Sequence, residues 1–276
     1  MIEIPEALTL AQQMADALSG KRILKVAAAT SPHGFAWYFG DPQDYPERLE
    51  NRLITGAFAH GGKVEIEVEE MRIALGEGVR IRLYQEGEKY PSKHQLLIEL
   101  DDGSVVVCTV QMYGCLLAFP DGANDESFYY VVGKQKPAVL SKDFTLEYFR
   151  SLLDPDALQG SAKAFLATQQ RIPGLGNGVV QDILWHSGIH PKRKMSTLTS
   201  DEVDSLFDTV TGLLREMTEA GGRCTEKDLY GNPGGYNVVM CSQGLGNPCP
   251  GCGTAISSMS YLGGKVYFCE SCQKLK

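Results

Sequence analysis

The chain has 276 residues, enough for one large or two modest domains with a small appendage, and 43% of them are hydrophobic, so it can bury a substantial core. Its formal net charge of -8 argues against a protein that coats nucleic acid indiscriminately, although a local basic surface can exist on an acidic whole. The sequence shows no signal-peptide pattern and no stretch approaching the ~18 apolar residues of a membrane span, which predicts a cytoplasmic protein without a membrane partner.

The first half of the chain reads as one helix followed by strands. The opening segment PEALTLAQQMADALSG predicts an amphipathic helix whose apolar face is formed by Leu8, Ala11, Ala15 and Leu18. The segments KVEIEVEEMRIAL, VRIRLYQ and HQLLIELDDGSVVVCTVQMYGCLLAF alternate with period two, and Asp102-Gly103 gives a hairpin signal. We therefore expect residues 1–135 to form a β-sandwich or flattened barrel with the helix packed alongside.

The second half changes to helical periodicity after a linker-like segment at residues 132–143. The segments TLEYFRSLLD, SAKAFLATQQR, VVQDILWHSG and SDEVDSLFDTVTGLLREMTEAGG predict four helices, and Thr199 and Glu202 have capping-box spacing before the last one. Its predicted buried stripe consists of Val203, Leu206, Phe207, Val210, Leu213, Leu214 and Met217. Residues 142–222 are therefore expected to form a helical domain.

A glycine-rich turn between two of these helices has the character of a phosphate site. In RIPGLGNGVVQDILWHSGIHPKRK, Gly176 shapes a tight turn and Asn177 stands where an N-cap would begin a helix. Free backbone N–H groups and the positive end of the helix dipole would then point at one spot. The basic cluster that contains Lys192 and Arg193 follows a second turn and would lie beside it.

The last 54 residues, 223–276, contain a candidate metal centre. Two CxxC pairs are separated by sixteen residues, and their members are Cys249, Cys252, Cys269 and Cys272. Two disulfides or a redox CxxC are the alternatives, but in a reducing cytosol this spacing predicts one structural Zn²⁺ bound by four thiolates, with no open coordination position. The residues between the pairs predict a β-hairpin that turns at Gly263 and Gly264.

In their order along the chain, these features resemble the formamidopyrimidine-DNA glycosylase and endonuclease VIII family. The resemblance is most specific at residues 165–194, which read PGLGN and then SGIHP, and at residues 248–273, which read PCPGCG and then FCESCQ. It implies an α+β, multi-domain fold with an N-terminal β-sandwich and flanking helix, a helix-two-turns-helix domain and a C-terminal zinc-finger β-hairpin. It also implies that the two latter parts clamp double-stranded DNA while a damaged base is flipped out of the stack.

The N-terminus departs from the family pattern. Family members usually begin Met-Pro-Glu, and after removal of Met the proline amine attacks C1′ of the damaged nucleotide. Here Ile2 replaces that nucleophile, whereas Glu3 matches the glutamate that protonates the opening sugar. Because bulky Ile2 discourages removal of Met1, the terminal amine would lie one residue, roughly 3.8 Å, from the required place. The family's lyase step is therefore in doubt here.

Other site residues follow from the same resemblance. Lys63 falls at the family's essential β-hairpin lysine, which contacts phosphate near the lesion, although a solvated strand-end lysine is the alternative. Tyr113 can act as an aromatic wedge, while Gln111 stands in place of an arginine that reads the opposite base. His94 matches a histidine near the sugar-phosphate, and Lys265 lies beside the position of the finger arginine. The segment at residues 225–236 occupies the place of the lesion-recognition loop, and its three glycines would allow it to move.

Three hypotheses follow. The first is a base-excision DNA glycosylase, a monomer that acts at the bacterial nucleoid and removes damaged bases, with Glu3, Lys63 and Ile2 as the catalytic positions. The second is a catalytically lapsed protein of the same fold that recognises abasic or damaged sites. The third is a zinc-stabilised interaction module without a nucleic-acid role, which only the acidic net charge favours.

Overall fold

The computed structural model describes residues 1–123 and 128–275, which form a mixed helix and sheet fold. The strands are β1 (Ile23–Ala28), β2 (Ala36–Trp37), β3 (Ile54–His60), β4 (Lys63–Val68), β5 (Met71–Tyr84), β6 (Leu96–Leu100), β7 (Val105–Pro120), β8 (Ser257–Tyr261) and β9 (Gly264–Phe268). The helices are α1 (Ile4–Leu18), α2 (Tyr45–Leu49), α3 (Phe128–Gln135), α4 (Leu146–Ser151), α5 (Pro155–Gln159), α6 (Ala162–Ala167), α7 (Asn177–His186) and α8 (Ser200–Glu219). The division into parts at residues 135, 142 and 222 remains a prediction.

The N-terminal sheet is continuous, and its two long strands hold two halves together. Its order is β1-β6-β7-β5-β4-β3, with β2 added in parallel to β7. Strand β6 pairs with the first part of β7 and β4 pairs with the first part of β5, so the halves meet along the β5–β7 ladder. Both halves contribute apolar side chains to one core, so the predicted sandwich is built from a single sheet. The predicted hairpin at Asp102-Gly103 joins β6 to β7, with Gly103 at φ +80°.

Helix α1 packs against the sheet, but its buried face is rotated from the predicted one. The fully buried apolar positions are Ile4, Ala7, Leu10, Ala11, Met14 and Leu18. Leu8 and Ala15, predicted to be buried, are only partly covered, because the helix is shared between two cores. Leu8 and Ile4 pack against the helical domain, and the remaining face packs against the sheet. The helix therefore fixes the first residues of the chain between the two parts.

The helical part forms its own hydrophobic core from α4 to α8. The capping box of Thr199 and Glu202 begins α8 as predicted, and the predicted stripe is buried except for Phe207, whose ring packs against the same core. The predicted linker at residues 132–143 was wrong in its first part, because α3 extends to Gln135. None of the helices within residues 1–123 and 128–275 is long and apolar enough to cross a membrane.

The C-terminal hairpin consists of β8 and β9 and turns one residue earlier than predicted. Leu262 and Gly263 occupy the turn with φ values of +51° and +72°, and Gly264 already belongs to β9. Positive φ at both central positions is the geometry of a two-residue hairpin turn that matches the twist of its strands. The hairpin packs on α7 rather than standing free.

Candidate nucleic-acid interface and N-terminal cavity

A cavity of about 410 Å³ lies where the first residues of the chain meet the sheet and the helical part. Its lining is mostly apolar and includes four residues from the turn before α7, namely Pro173, Gly174, Leu175 and Gly176. The charged side chains that line it are those of Glu3, Lys63 and Glu77. The three catalytic positions expected from the sequence, Ile2, Glu3 and Lys63, are therefore brought together at one cavity. Its size and mixed lining suit a small organic group.

Glu3 binds the N-terminus of α7. Its buried carboxylate accepts hydrogen bonds from the backbone N–H groups of Gly176, Gly178 and Val179 at 3.2, 2.8 and 2.9 Å. The sequence prediction of free amides at this helix end was therefore wrong, because the chain supplies its own anion. Gly176, not Asn177, is the N-cap, and a Cβ on Gly176 would approach the Glu3 carboxyl carbon to 2.5 Å. Burial raises the pKa of Glu3, while Arg223 and the α7 amides act in the opposite direction.

Arg223 joins the two glutamates of the N-terminal segment into a buried charge cluster. Its Nε and Nη2 atoms donate to Glu6 at 2.9 and 2.7 Å, and Nη1 donates to Glu3 at 3.4 Å. The same Nη2 donates to the carbonyl oxygen of Met1 at 3.0 Å. Burial acts to lower the pKa of Arg223, but the two carboxylates outweigh it and raise the pKa above its ordinary value. No local sequence pattern predicts this role for Arg223, because its carboxylate partners lie more than 200 positions away in the chain.

Both nitrogens at the start of the chain have partners. The ammonium of Met1 lies 2.5 Å from Oε2 of Glu226, which belongs to the segment expected to recognise the lesion. The nitrogen of Ile2 is a backbone amide that donates to the carbonyl oxygen of Glu77 at 2.8 Å, and the Ile2 side chain is buried. An amide nitrogen is not a nucleophile, so with Met1 in place Ile2 cannot form an imine.

Lys63 is buried in the cavity wall instead of extending from a strand end. Its Nζ forms a short ion pair with Oε1 of Glu77 and lies 3.4 Å from Sγ of Cys115. Burial acts to lower the pKa of Lys63, but Cys115 and Glu77 outweigh it and raise the pKa. Glu77 has a left-handed backbone at φ +58°, and its Oε2 atom is buried without a hydrogen-bond partner among the described residues. The ammonium of Lys63 has three N–H donors, so a phosphate in the cavity would share it with Glu77 and Cys115.

Gln111 and Tyr113 lie in an interruption of the β5–β7 ladder. Glu77 pairs with Gly114 and Val79 with Val110, so Gln111, Met112 and Tyr113 together stand opposite the single residue Gly78. The extra residues bulge away from the sheet, which leaves Gln111 and Met112 exposed. Tyr113 lines the cavity, and its ring centroid lies 5.8 Å from that of Trp37.

The start of α7 and the C-terminal hairpin form one continuous surface. Nδ2 of Asn177 donates to the carbonyl oxygen of Lys265 at 3.2 Å, and the backbone N–H of Tyr267 donates to the side chain of Gln181 at 2.5 Å. Asn177 and the Lys265 side chain are both exposed there. The two features that the sequence assigned to DNA are thus in direct contact.

The basic cluster after α7 divides into one exposed and one structural residue. Lys192 is exposed, with its Nζ 5.2 Å from the ring centroid of Tyr261 on the hairpin. Arg193 is buried, and it donates to both carboxylate oxygens of Glu202 at 2.7 and 2.6 Å. The expectation that Arg193 faces a ligand was therefore wrong. Lys163 was missed by the sequence analysis, and its Nζ donates to the carbonyl oxygen of Tyr261 at 2.7 Å.

His94 does not line the cavity. It is buried in the sheet domain, where its Nδ1 lies 3.1 Å from the carbonyl oxygen of Pro91 and its ring packs edge-on against Tyr90. The segment at residues 225–236 is anchored at two points, because Leu229 within it is buried in the sheet core and Tyr236 at its end donates to Asp182 at 3.0 Å. Whether this segment moves stays a prediction.

The four C-terminal cysteines could hold a metal ion. Their sulfur atoms all lie within 4.8 Å of one another, and two distances between the knuckles are 3.4 Å from Cys252 to Cys269 and 3.8 Å from Cys249 to Cys272. Four sulfurs at about 2.3 Å from a tetrahedral ion lie about 3.8 Å apart, so the donor set fits a closed site. The other four cysteines are Cys108, Cys115, Cys224 and Cys241, and none belongs to this cluster.

Comparison with known proteins agrees with this arrangement. Residues 136–228 match the family model described as the formamidopyrimidine-DNA glycosylase H2TH domain. The chain is 25% identical to a formamidopyrimidine-DNA glycosylase of Streptococcus pneumoniae, with 99% of each chain covered. It is 27% identical to a formamidopyrimidine-DNA glycosylase of Gluconobacter oxydans, over 99% of this chain and all of the relative.

Solved structures extend the similarity to the whole fold. The Fpg protein of Lactococcus lactis, in a complex with abasic-site DNA, superposes with a TM-score of 0.83 at 21% identity, covering 99% of both chains. The MutM (Fpg) protein of Thermus thermophilus superposes with a TM-score of 0.82 at 22% identity, with the same coverage. At these identities the superpositions establish the fold. Together with the domain match and the full-length relatives, they show that the chain is similar over its whole length to formamidopyrimidine-DNA glycosylases.

Proposed function

We propose that this protein is a DNA-repair glycosylase that cleaves the N-glycosidic bond of a damaged base in double-stranded DNA. The observation that carries the proposal is the contact between Asn177 and Lys265. It joins the start of α7 to the hairpin in one surface beside the cavity that Glu3 lines. Exposed polar and basic groups there would hold the phosphate backbone, with Lys192 at the hairpin edge. The solved relative from Lactococcus lactis, bound to abasic-site DNA, supports this choice of partner.

The chemistry we propose is hydrolysis rather than imine formation. A water oxygen bonds to C1′ and gives up one proton to solvent, the C1′–N bond breaks, and its electron pair leaves with the base, which takes a proton from solvent. The carboxylate of Glu3, fixed by three amides, would stabilise positive charge that develops on the sugar. Lys63, shared with Glu77, would contact a phosphate near the lesion, and Tyr113 would fill the gap that a flipped base leaves.

We propose that the C-terminal cysteines bind one structural Zn²⁺. A closed set of four thiolates favours zinc among common ions and leaves no position for a substrate. The bound ion would fix the hairpin against α7 and so hold Lys265 beside Asn177. We also propose that the protein acts as a monomer, which sedimentation in the presence and absence of DNA would test.

The experiment that tests the function uses duplexes that each carry one oxidised or ring-opened base. Free base is measured by mass spectrometry, strand nicking by gel electrophoresis, and imine formation by borohydride trapping. We expect released base, an intact abasic strand and no trapped complex. Tight binding without base release from any duplex would contradict the enzymatic proposal.

A catalytically lapsed damage-binding protein is the second candidate, and specific contacts favour it. The oxygens of Glu3 are held by the α7 amides, the Ile2 nitrogen is an amide, and Lys63 is paired with Glu77. Each of these groups would have to be freed, shared or bypassed for catalysis. Under this candidate, abasic-site duplex binds in preference to intact duplex of the same sequence, and no base is released.

A further inference from the structure

Large apolar side chains that are exposed to solvent lie on the two segments that carry the cavity residues Trp37 and Tyr113. Phe35, Trp37 and Met112 have 63%, 49% and 66% of their surface exposed, and Tyr113 is half-buried. Trp37 and Tyr113 also line the cavity. Single exposed apolar residues are ordinary on a protein surface, but a group of them beside a cavity marks a binding surface.

The backbone that carries this group is held in an unusual arrangement. Strand β2 pairs in parallel with Gly114 and Cys115, and the Gly114 N–H donates to the carbonyl oxygen of Phe35 at 3.0 Å. The bulge of β7 needs a glycine opposite it, because a Cβ on Gly78 would lie 2.6 Å from the Tyr113 carbonyl oxygen. Two separate segments are thus brought together so that Trp37 stands beside Tyr113.

The chemistry of this surface suits a flat, uncharged, unsaturated ligand. The planes of the Trp37 and Tyr113 rings meet at 44°, so the rings do not stack on each other. Aromatic faces stack on any nucleobase, since every base has a π-face, and such contacts are tolerant of sequence. No side chain of the group carries a charge or a fork of donors that would distinguish one base from another.

We infer that Trp37, which stands beside Tyr113 and is extended by Phe35 and Met112, forms a stacking platform that holds an unstacked nucleobase of DNA without reading its identity. The inference rests on the proposed function, because DNA supplies the base. A base is the occupant that fits best, because the platform borders the cavity that Lys63 and Glu3 line. The platform requires a base that has left the duplex stack, so single-stranded DNA should engage it as well as damaged duplex does.

Tryptophan fluorescence gives a direct test, because the chain has two tryptophans. The Trp185→Phe variant retains only Trp37, and the Trp37→Phe variant retains only Trp185, which is half-buried beside the cysteine cluster. Each is titrated with single-stranded oligonucleotides of A, C or T and with an oligomer of equal length in which every nucleotide is a tetrahydrofuran abasic analogue. We expect all three base-containing oligomers to quench Trp37 to a similar extent, and the abasic oligomer to leave it unquenched.

Affinity measurements complete the test. Trp37→Ala should weaken binding of the base-containing oligomers on the order of tenfold and leave binding of the abasic oligomer unchanged. Melting curves of Trp37→Ala and Trp37→Phe would show that both fold. Equal quenching by the abasic oligomer, or unchanged affinity in Trp37→Ala, would overturn the platform while leaving DNA binding intact. If the protein forms a dimer that Trp37→Ala disrupts, and Trp37→Ala binds DNA as tightly as the wild type, then this surface serves self-association and the platform is overturned. Failure of every oligomer and duplex to bind would instead refute the proposed function.

Discussion

The terminal ammonium of Met1 lies 2.5 Å from the carboxylate of Glu226. The ion pair holds the Met1 nitrogen at Glu226, and the next nitrogen, that of Ile2, is an amide that donates to the carbonyl oxygen of Glu77, so neither is free to attack C1′. We therefore expect the wild-type protein to give no complex with abasic-site DNA after borohydride reduction. Intact mass of the same preparation establishes that Met1 is retained.

The matched gain-of-function variant is Ile2→Pro. A small residue at position 2 permits removal of Met1, and the chain would then begin with a secondary amine beside the Glu77 carbonyl oxygen. Trapping should appear in this variant once mass spectrometry shows that Met1 is absent. Efficient trapping by the wild-type chain would mean that the amine of Met1 reaches the sugar, contrary to the hydrolytic account.

Glu65 links β4 to α3 and should make stability depend on acid pH. Its buried carboxylate accepts a short hydrogen bond from Tyr130 and lies 3.3 Å from Nζ of Lys134. Burial acts to raise the pKa of Glu65, but His60, whose Nε2 lies 3.7 Å from the carboxylate, and the hydrogen bond from Tyr130 outweigh it and lower the pKa from 4.5 to about 2. Because the pKa is lowered on folding, the stabilisation is present above about pH 4.5 and is lost as the pH falls through about 2.

Glu65→Gln should therefore lower the free energy of unfolding by about 2 kcal/mol near neutral pH. It should also make the free energy of unfolding depend less on pH between pH 2 and pH 4.5. Thermal or urea unfolding between pH 2 and pH 7 measures both effects. The control is Glu147→Gln, since Glu147 is exposed on α4. If stability falls as steeply below pH 4.5 in Glu65→Gln as in the wild type, groups other than Glu65 cause the loss of stability in acid.

Cys269→Ser should release the bound metal and weaken DNA binding. Cys269 is fully buried within the cysteine cluster, so a hydroxyl cannot replace its thiolate without opening the site. We expect metal analysis to fall from one zinc per chain towards zero and affinity for abasic-site duplex to drop at least tenfold. Cys224→Ser is the control, because Cys224 is exposed and lies outside the cluster. Full zinc content in Cys269→Ser would show that the ion is held elsewhere.

Substitution of Lys192 and of its neighbour Arg193 should have different effects, on DNA binding in the first case and on stability in the second. Lys192→Ala removes one exposed charge, so we expect normal stability, weaker binding to all DNA sequences and a salt slope smaller by about 1. Arg193→Ala removes a buried partner of Glu202 and should cost about 2 kcal/mol of stability. Unfolding curves and affinity at several salt concentrations separate the two effects. Loss of stability in Lys192→Ala would contradict the assignment of Lys192 to DNA binding and of Arg193 to stability.

The sequence predicted features that local chemistry encodes. The capping box of Thr199 and Glu202 spans three residues, and the cysteine spacing brings four thiols to one point; both appear in the structure. The order of sheet, helical and cysteine-rich parts also followed from periodicity.

Contacts between distant segments could not be predicted in this way. The hydrogen bond from the Val179 N–H to Glu3 joins residues 176 positions apart, so no local pattern predicts that the chain's own carboxylate occupies the N-terminus of α7. Arg193 looked like a ligand for phosphate because its burial depends on how α8 packs. Trp37 carried no signal either, because only the pairing of β2 with β7 brings it to Tyr113.

The central claim is that the start of α7 and the cysteine hairpin bind one DNA backbone as a single surface. Affinity for an abasic-site duplex, measured by fluorescence anisotropy at fixed salt, tests it most directly. We expect Asn177→Ala and Lys265→Ala each to weaken binding on the order of tenfold, because Asn177 holds the Lys265 backbone beside α7 and the exposed Lys265 side chain supplies a positive charge. The exposed Lys142→Ala should bind like the wild type. Unchanged affinity in both Asn177→Ala and Lys265→Ala, with the proteins folded and loaded with metal, would contradict the account.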